Sequence, residues 1–195
     1  IPVSEKNGWP WTVETPTWPA AQPDGAPWPR VSIVTPSYNQ GEFIEETIRS
    51  VLLQGYPNFE YIVMDGGSTD GSIEVIRKYS PWLSYLHIGP DGGQAAAIAE
   101  GFRHATGDIF AWINSDDRYC PNAFRRVAEF FRQYPQVVFA NGDVNYIDAN
   151  GRFLRRIYAV SPNRELTASL GYHGWPQQGC FWRQSAYHAC GGVDP

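Results

Sequence analysis

The sequence predicts an α/β fold in which a mostly parallel sheet is flanked by helices, with a small antiparallel addition in the C-terminal third. Two observations predict the parallel part. Apolar runs that end in polar, acid-bearing turns recur along the chain, and stretches with helical spacing separate them. The addition is predicted because short apolar runs joined by turn residues follow residue 141. The carboxyl ends of the parallel strands then meet at one edge, where open α/β sheets bind ligands.

Residues 1–29 are predicted to form an extended arm. They carry seven prolines and four tryptophans without a period, and proline at this density is incompatible with helices and inner strands. The indole rings are expected to pack on the domain surface, with stacking on a sugar as the alternative. Since the chain begins at Ile1 without a methionine and ends in the turn-like residues 191–195, residues 30–195 are expected to be a C-terminally truncated domain.

The first strand is predicted over residues 31–34 and the first helix over 41–54, where apolar side chains recur at helical spacing up to Gly55. Later helices are predicted from Gly71, over 93–105 and from Pro121. In the last helix the side chains predicted to be buried are Phe124, Val127, Phe130 or Phe131, and Tyr134. Further strands are predicted over 61–64, 83–88, 109–113 and 137–140, the last of them buried.

The C-terminal third is predicted to be antiparallel. Residues 144–147 and 152–158 form two strands of a predicted hairpin, joined by residues 148–151 with an Asn-Gly turn. A further strand is predicted over 178–183, followed by a short helix that reaches Cys190. The first half of the chain would then hold one ligand, while this addition shapes a pocket for another.

The composition excludes several classes of function. A net charge of −5 with scattered basic residues argues against a nucleic-acid partner, because phosphate backbones require clustered Lys and Arg. The three cysteines match no zinc spacing and indicate free thiols in a reducing compartment. Because the sequence contains neither a transmembrane segment nor a signal-peptide pattern, a cytoplasmic location is expected.

Three polar turns at the predicted sheet edge contain the candidate functional residues. The turn over residues 114–117 places Asp116 beside Asp117, and adjacent carboxylates repel each other unless a cation or hydrogen-bond donors offset them. Mg²⁺ and Mn²⁺ bind to one or two such carboxylates together with phosphate oxygens of a substrate. The alternative is an ordinary strand-to-helix turn in which Asp117 or a neighbouring residue caps the helix that starts at Pro121. A second acid-bearing turn, over residues 65–72, lies on the same predicted edge, and this favours the metal site.

The turn over residues 65–72 reads Asp-Gly-Gly-Ser-Thr-Asp-Gly-Ser, and its glycines allow a ligand to approach the backbone closely. Its acid spacing differs from that of a calcium loop, and no lysine follows the glycines as in a Walker loop. Helix capping accounts for residues 68–70 but leaves Asp65 to accept donors from a base or sugar. The turn over residues 35–39 adds hydroxyl and amide groups and one aromatic face, with a simple loop capped by Asn39 as the alternative.

Thr-Pro-Ser-Tyr-Asn at residues 35–39, the Asp-Gly-Gly-Ser turn and Asn-Ser-Asp-Asp at 114–117 resemble, in this order and spacing, the motifs of family 2 glycosyltransferases with the GT-A (Rossmann-like) fold. The resemblance covers about residues 29–195. It implies transfer of a sugar from a nucleoside-diphosphate sugar to a hydroxyl of a glycan or lipid-linked acceptor, with a divalent metal (Mn²⁺ or Mg²⁺) and inversion at the sugar. It also implies a role in polysaccharide or cell-envelope glycan biosynthesis, at the inner face of the membrane where the acceptor is lipid-linked.

The resemblance further implies roles for individual residues. Asp65 would accept a hydrogen bond from a ring nitrogen of the base, Asp116 would bind the metal with Asp117 beside it, and Asn114 would face the ribose or a metal-bound water. The implied donor-nucleotide site comprises Thr35, Pro36, Tyr38, Asn39, Asp65, Gly67, Asp91, Gln94, Asn114 and Ser115. An aromatic loop offers His173 and Trp175 as acceptor contacts, and packing of that loop on the sheet is the alternative.

The sequence departs from the family pattern at three places. Asn114 stands where the Asp-x-Asp motif has an acid, and Ala96 and Ala99 replace polar residues of the Gly-Gln-Ser-Asp-Ala-Ile-Asn motif. The family's general base, in a Glu-Asp motif beyond Gly-Gly-x-Asp-Glu, is expected outside these residues, which leaves Asp194 as the candidate within them. A non-catalytic nucleotide- or glycan-binding module of the same fold is therefore the alternative. A dehydrogenase is disfavoured, because no Gly-x-Gly-x-x-Gly follows the first strand.

Overall fold

The computed structural model describes residues 1–160 and 175–195. Its strands are β1 (Val31–Ser37), β2 (Phe59–Asp65), β3 (Tyr85–Ile88), β4 (Ile109–Trp112), β5 (Phe139–Asn141), β6 (Val144–Ile147), β7 (Phe153–Ile157) and β8 (Cys180–Arg183). Its helices are α1 (Ile44–Leu52), α2 (Ser72–Tyr79), α3 (Gln94–Arg103), α4 (Ala123–Gln133) and α5 (Gln184–Ala189). Within these described ranges, no helix is both long enough and apolar enough to cross a bilayer.

Six strands form one mixed sheet in the order β3-β2-β1-β4-β8-β5, and β6 pairs with β7 in a separate two-stranded sheet. The four strands from β1 to β4 are parallel, while β8 runs antiparallel to both β4 and β5. The predicted α/β fold with an antiparallel addition is thus confirmed. Ser37 and Asp65 lie side by side at the carboxyl ends of β1 and β2, which brings together the turns that follow these strands.

Helices cover both faces of the parallel sheet, and every residue of β1 is therefore buried. On one face, α1, α2 and α4 contribute Ile44, Ile76 and Phe124 to a large apolar cluster. On the other face α3 packs so closely that a Cβ atom at Gly101 would lie 2.5 Å from a methyl group of Val34. A helical glycine costs about 1 kcal/mol relative to alanine, and here it is required by the close approach of α3 to β1.

The N-terminal arm packs against the domain through its tryptophans, as predicted. Trp11 and Trp28 are buried, and the ring of Trp28 stacks on Trp18 with 3.9 Å between centroids. Beneath the arm, the buried guanidinium of Arg49 in α1 donates hydrogen bonds to the carbonyl oxygens of Pro10 and Trp11. Since a buried cation requires such partners, the arm is an integral part of the folded structure.

Two helices begin later than predicted. α1 begins at Ile44 rather than Gly41, because Asp70 accepts a hydrogen bond from the Gly41 amide in a turn that precedes the helix. α4 begins at Ala123 rather than at Pro121. The other predicted elements have the correct type, and their boundaries shift by at most three residues.

The predicted burial at the end of α4 and in β5 was wrong in part. Phe124 and Phe131 are buried, whereas Tyr134 is 39% exposed. The buried strand predicted over 137–140 is the edge strand β5, and Val138 immediately before it is 48% exposed. An edge strand has a neighbour on one side only, so that its residues are partly open to solvent. The β6–β7 hairpin is confirmed.

Candidate functional site

A cavity of about 570 Å³, here called the edge cavity, opens at the carboxyl ends of the parallel strands. Its volume lies in the range of small-molecule sites. Four chain segments line it, namely the turns after β1, β2 and β4 and the loop that leads into α3. The lining residues are Pro36, Ser37, Tyr38, Gln40, Gly66, Pro90, Asp91, Gly92, Gly93, Gln94, Asn114, Ser115 and Asp116.

One part of the edge cavity combines an aromatic ring with a carboxylate. The Tyr38 side chain is 63% exposed at the cavity. A Cβ atom at Gly66 would lie 3.1 Å from Oδ2 of Asp91 and 3.3 Å from Cδ2 of the Tyr38 ring, so the missing side chain at Gly66 leaves room for the Asp91 carboxylate. Asp91 is held there by its Oδ1 atom, which accepts a 2.9 Å hydrogen bond from the Gly93 amide.

Asp65 does not line the edge cavity. Its carboxylate is fully buried and accepts hydrogen bonds from the Gly67 amide at 3.0 Å, the Ser68 amide at 2.8 Å and the Ser68 hydroxyl at 2.7 Å. Gly67 adopts φ +88°, a conformation that suits glycine and lets the turn fold back onto the carboxylate. The direct contact with a base that the resemblance implies for Asp65 is therefore blocked in this conformation.

Two further predicted donor-site residues, Thr35 and Asn39, do not line the edge cavity. Thr35 is fully buried, and its hydroxyl oxygen accepts a 3.0 Å hydrogen bond from Tyr61. Burial raises the pKa of Tyr61 above its ordinary value, which keeps the hydroxyl as a donor to Thr35. Asn39 joins two turns. Its side-chain Oδ1 accepts a hydrogen bond from the Thr69 backbone amide, and its backbone amide donates one to the Ser68 hydroxyl oxygen. These residues support the cavity without lining it.

The turn over residues 114–117 presents its first acid to the cavity. Asp116 is exposed, whereas Asp117 is partly buried. Burial raises the pKa of the Asp117 carboxyl, a hydrogen bond from Gln178 opposes that rise, and the charge of Asp116 adds to it. Asn114 accepts a 2.8 Å hydrogen bond from the Gln94 side chain, which joins this turn to the start of α3.

The same turn is held from below by α1. The buried Thr47 hydroxyl lies 3.0 Å from the carbonyl oxygen of Ser115 and 2.6 Å from that of Asp117, and donates to both. These contacts fix the backbone on either side of Asp116 while its carboxylate stays exposed. Thr47 and Gln178 were missed in the sequence, because neither a helical threonine nor a glutamine before a strand carries a distinguishing signal.

A second cavity of about 290 Å³, here called the hairpin cavity, lies between the start of α1, the 114–117 turn and the β6–β7 hairpin. Asp116 lines both cavities. Arg118 forms an ion pair with Glu46 inside the hairpin cavity, and Tyr146 contributes an aromatic wall. One cavity thus lies at the parallel sheet and another beside the antiparallel addition, while the predicted division of ligands between them stays a prediction.

The remaining predicted residues lie elsewhere. Asp194 is exposed near the end of the chain and lines neither cavity. The Trp175 ring packs against Phe139 with 6.0 Å between centroids. His173 lies outside the described residues. Ala96 and Ala99 line neither cavity.

The 114–117 turn fits a divalent cation that is bound by one or two carboxylates together with phosphate oxygens of a substrate. Within residues 1–160 and 175–195, no cluster of three or more His, Cys, Asp and Glu side chains forms a self-sufficient metal site. Mg²⁺ and Mn²⁺ do not require one, since one or two carboxylates suffice when substrate phosphate and water complete the coordination. Asp116, with Asp117 beside it, matches that donor set.

The family model for glycosyl transferase family 2 matches residues 32–187. The chain belongs to this family. A relative named as an uncharacterized glycosyltransferase of Rickettsia bellii is 34% identical over 143 residues, which make up 72% of this chain and 20% of the relative. The putative teichuronic acid biosynthesis glycosyltransferase TuaG of Bacillus subtilis is 33% identical over 108 residues, or 54% of this chain and 43% of TuaG. This chain therefore spans less than half the length of either relative.

Solved structures share the GT-A fold. The mannosyltransferase PcManGT from Pyrobaculum calidifontis, in complex with GDP-Man and Mn²⁺, has a TM-score of 0.63 and 20% identity, covering 84% of this chain and 47% of PcManGT. S. aureus TarS 1–349, in complex with UDP-GlcNAc, has a TM-score of 0.62 and 19% identity, covering 85% of this chain and 48% of that one. At these identities the likeness establishes the fold and not the ligand.

Proposed function

We propose that this family 2 member transfers a sugar from a nucleoside-diphosphate sugar to an acceptor hydroxyl. The observation that carries the proposal is the edge cavity, where the exposed ring of Tyr38, the polar loop before α3 and the exposed Asp116 carboxylate line one space. An aromatic ring can stack on a base, and a carboxylate beside a diphosphate is the usual ligand of Mg²⁺ or Mn²⁺. The complexes of PcManGT with GDP-Man and of TarS with UDP-GlcNAc support the ligand class.

Asp116 would hold the divalent cation, with Asp117 beside it. A cation held there would neutralise negative charge on a diphosphate leaving group. Asn114 replaces an acid of the family motif, and its side-chain oxygen accepts a hydrogen bond from Gln94. This residue therefore positions the turn and adds no charge. The turn thus carries two carboxylates, of which Asp116 lines the edge cavity, and one or two suffice for a cation that also binds phosphate oxygens.

The hairpin cavity would receive the acceptor. Because Asp116 lines both cavities, a hydroxyl in the hairpin cavity lies next to the region where the donor diphosphate binds. Transfer with inversion forms a bond from the acceptor oxygen to the anomeric carbon while the bond from that carbon to the diphosphate breaks on the opposite face. Holding both substrates in this arrangement supplies much of the rate acceleration.

The transfer also requires a base that removes the acceptor proton. Asp194 stays the candidate within this chain, although it lines neither cavity. The acceptor would be a glycan or a lipid-linked glycan of the cell envelope, a class that the name of TuaG supports. A lipid-linked acceptor would place the reaction at the inner face of the membrane.

A binding panel tests the donor site directly. Thermal unfolding of the purified chain is measured with UDP, GDP and dTDP, each with and without Mn²⁺. A ligand that binds only the folded state at a hundredfold excess over its Kd raises stability by about 2.7 kcal/mol. We expect a metal-dependent rise with one nucleotide, its loss in Asp116→Ala, and its retention in Glu129→Gln, an exposed charge change on α4.

No stabilisation by any nucleotide in a folded sample would contradict the donor site. Turnover separates the two remaining classes, because the non-catalytic module would bind a nucleotide without consuming the sugar nucleotide. The assay therefore follows release of the nucleoside diphosphate with candidate acceptors, using Asp116→Ala as the inactive reference.

A further inference from the structure

We propose that Asp91, and not Asp65, presents the carboxylate that reads the donor base, so that the site selects bases with a ring N–H group. Those bases are uracil, thymine and guanine, while adenine and cytosine are disfavoured. The inference rests on the proposed donor site. It assigns the base-reading role to the loop before α3 instead of the turn after β2.

The first argument is that the Asp65 carboxylate is fully buried and lies outside the edge cavity. Its buried carboxylate accepts three hydrogen bonds from Gly67 and Ser68, at 2.7–3.0 Å. Reaching a base would break these bonds and leave the buried amide and hydroxyl of Ser68 without partners, which costs more than a new hydrogen bond returns. Asp65 therefore shapes its turn, and the cavity requires another acid.

The second argument is the position of Asp91. Its carboxylate lies where a side chain on Gly66 would stand, with both oxygens within 3.3 Å of the Cβ position and next to the Tyr38 ring. Oδ1 accepts the Gly93 amide, and no hydrogen bond joins Oδ2 to the described part of the chain. A base stacked on Tyr38 would thus present its edge to a fixed carboxylate oxygen with capacity to accept.

The third argument is the chemistry of the bases. Uracil and thymine carry a donor at N3, and guanine carries donors at N1 and at its exocyclic amine. Adenine and cytosine place an acceptor nitrogen at the corresponding ring position, which faces a carboxylate unfavourably. A site built to accept a hydrogen bond disfavours analogues that lack the donor, since the acceptor beside the base is then left unpaired.

The experiment measures the Kd of UDP, dTDP, GDP, ADP and CDP with Mn²⁺ by calorimetry for the wild-type chain, Asp91→Asn and Glu129→Gln. The asparagine side chain of Asp91→Asn keeps an oxygen for the Gly93 amide, so the loop should be retained. We expect the preferred nucleotide to bind about 10- to 100-fold more weakly to Asp91→Asn, as a hydrogen bond to a charged group predicts. In Asp91→Asn, the ratio of the Kd values of ADP and CDP to that of the preferred nucleotide should become smaller. Glu129→Gln should bind all five nucleotides with wild-type affinity.

A second variant tests the same geometry from the other side. Gly66 has no left-handed φ, so alanine is compatible with the backbone, but its Cβ would push against Asp91 and Tyr38. Gly66→Ala should lower the affinity for the preferred nucleotide, as Asp91→Asn does. The melting temperature of the nucleotide-free Asp91→Asn chain should equal that of the wild type.

The outcomes separate the two proposals. The role of Asp91 would be overturned if Asp91→Asn bound the nucleotides with the affinity and preference of the wild-type chain. It would also be overturned if the wild-type chain preferred ADP or CDP. Either result would leave the donor site standing. If no nucleotide binds to the folded wild-type chain, the donor site fails, and the role of Asp91 fails with it.

Discussion

The two acid-bearing turns of the sheet edge look alike in sequence and differ in how their carboxylates are used. In the turn after β2, the Asp65 carboxylate is buried and bonded to the turn itself. In the turn after β4, Asp116 is exposed to two cavities, and the turn is held from outside by Thr47. An acid at a strand end is therefore a structural residue where the next residues supply amide donors, and a ligand-binding candidate where they do not.

The source of the hydrogen-bond donors explains the difference. Gly67 with positive φ folds the backbone back, so that two successive amides and the Ser68 hydroxyl point at Asp65. The turn after β4 instead makes one internal backbone hydrogen bond, from Asp117 to Asn114, and leaves the Asp116 side chain outside the turn. Substitutions in the two turns should then affect different properties.

The largest effect is expected for Asp116→Asn. Removing the charge that would hold a cation at the diphosphate should lower the transfer rate by about 100-fold or more. The melting temperature should stay close to that of the wild type, because Asp116 is exposed. Steady-state kinetics with a sugar nucleotide measures the first quantity and thermal unfolding the second. A variant that keeps wild-type turnover would remove Asp116 from the mechanism.

Asp65→Ala should show the opposite pattern in stability. It removes the acceptor of two buried donors on Ser68 and of the part-buried Gly67 amide, so we expect a loss on the order of 3 kcal/mol in the free energy of unfolding. Urea unfolding at neutral pH measures the loss, and Asp65→Asn, which keeps one acceptor oxygen, should lose less. An Asp65→Ala chain as stable as the wild type would contradict the structural role.

Thr47→Val tests the support beneath the exposed acid. The hydroxyl that binds two carbonyl oxygens is replaced at nearly constant volume, and about 1–2 kcal/mol of stability should be lost. Because the backbone around Asp116 loosens, the apparent affinity for Mn²⁺ with the donor nucleotide should also fall several-fold. Thr47→Ser keeps the hydroxyl and should restore most of both quantities. If Mn²⁺ titrations of Thr47→Val and the wild type coincide, Thr47 stabilises the fold without positioning the turn.

The sequence predicted the elements well because they depend on local patterns. Apolar runs, helical spacing and the Asn-Gly turn each report on nearby residues, and the fold class, the parallel strands and the hairpin followed from them. Burial at Tyr134 and in β5 depended on strand order, which places β5 at an edge. No pattern along the chain contains that order.

The sequence predicted only part of the site, because the placement of a side chain depends on how separate segments of the chain come together. Pro36, Tyr38, Asp91, Gln94, Asn114, Ser115 and Asp116 all line the edge cavity. Asp65 and Thr35 do not, since their motif fixes where the strand ends and not which way the side chain turns. The space next to Gly66 is filled from another loop, by Asp91, and a contact of this kind appears only once both loops are placed.

The smallest effect is expected at Asp70, the second acid of the turn after β2. Hydrogen bonds from the Ser72 hydroxyl and then the Gly41 amide lower the pKa of the Asp70 carboxyl below its ordinary value of 3.8. A lowered pKa in the folded state stabilises the chain above the ordinary value, and this contribution disappears as pH falls through the lower, folded value. Because Asp70 is exposed, the contribution should stay below about 1 kcal/mol.

Asp70→Asn should therefore be slightly less stable than the wild type near pH 7, and the gap should close below about pH 4. Urea unfolding of both chains at a series of pH values measures the gap, with Glu129→Gln as the reference for a charge change outside the turn. A gap that persists unchanged at the lowest pH would mean that the ionised form of Asp70 does not stabilise the turn. The turn after β2 would then depend on Asp65 alone among its two acids, which would sharpen its contrast with the turn that presents Asp116.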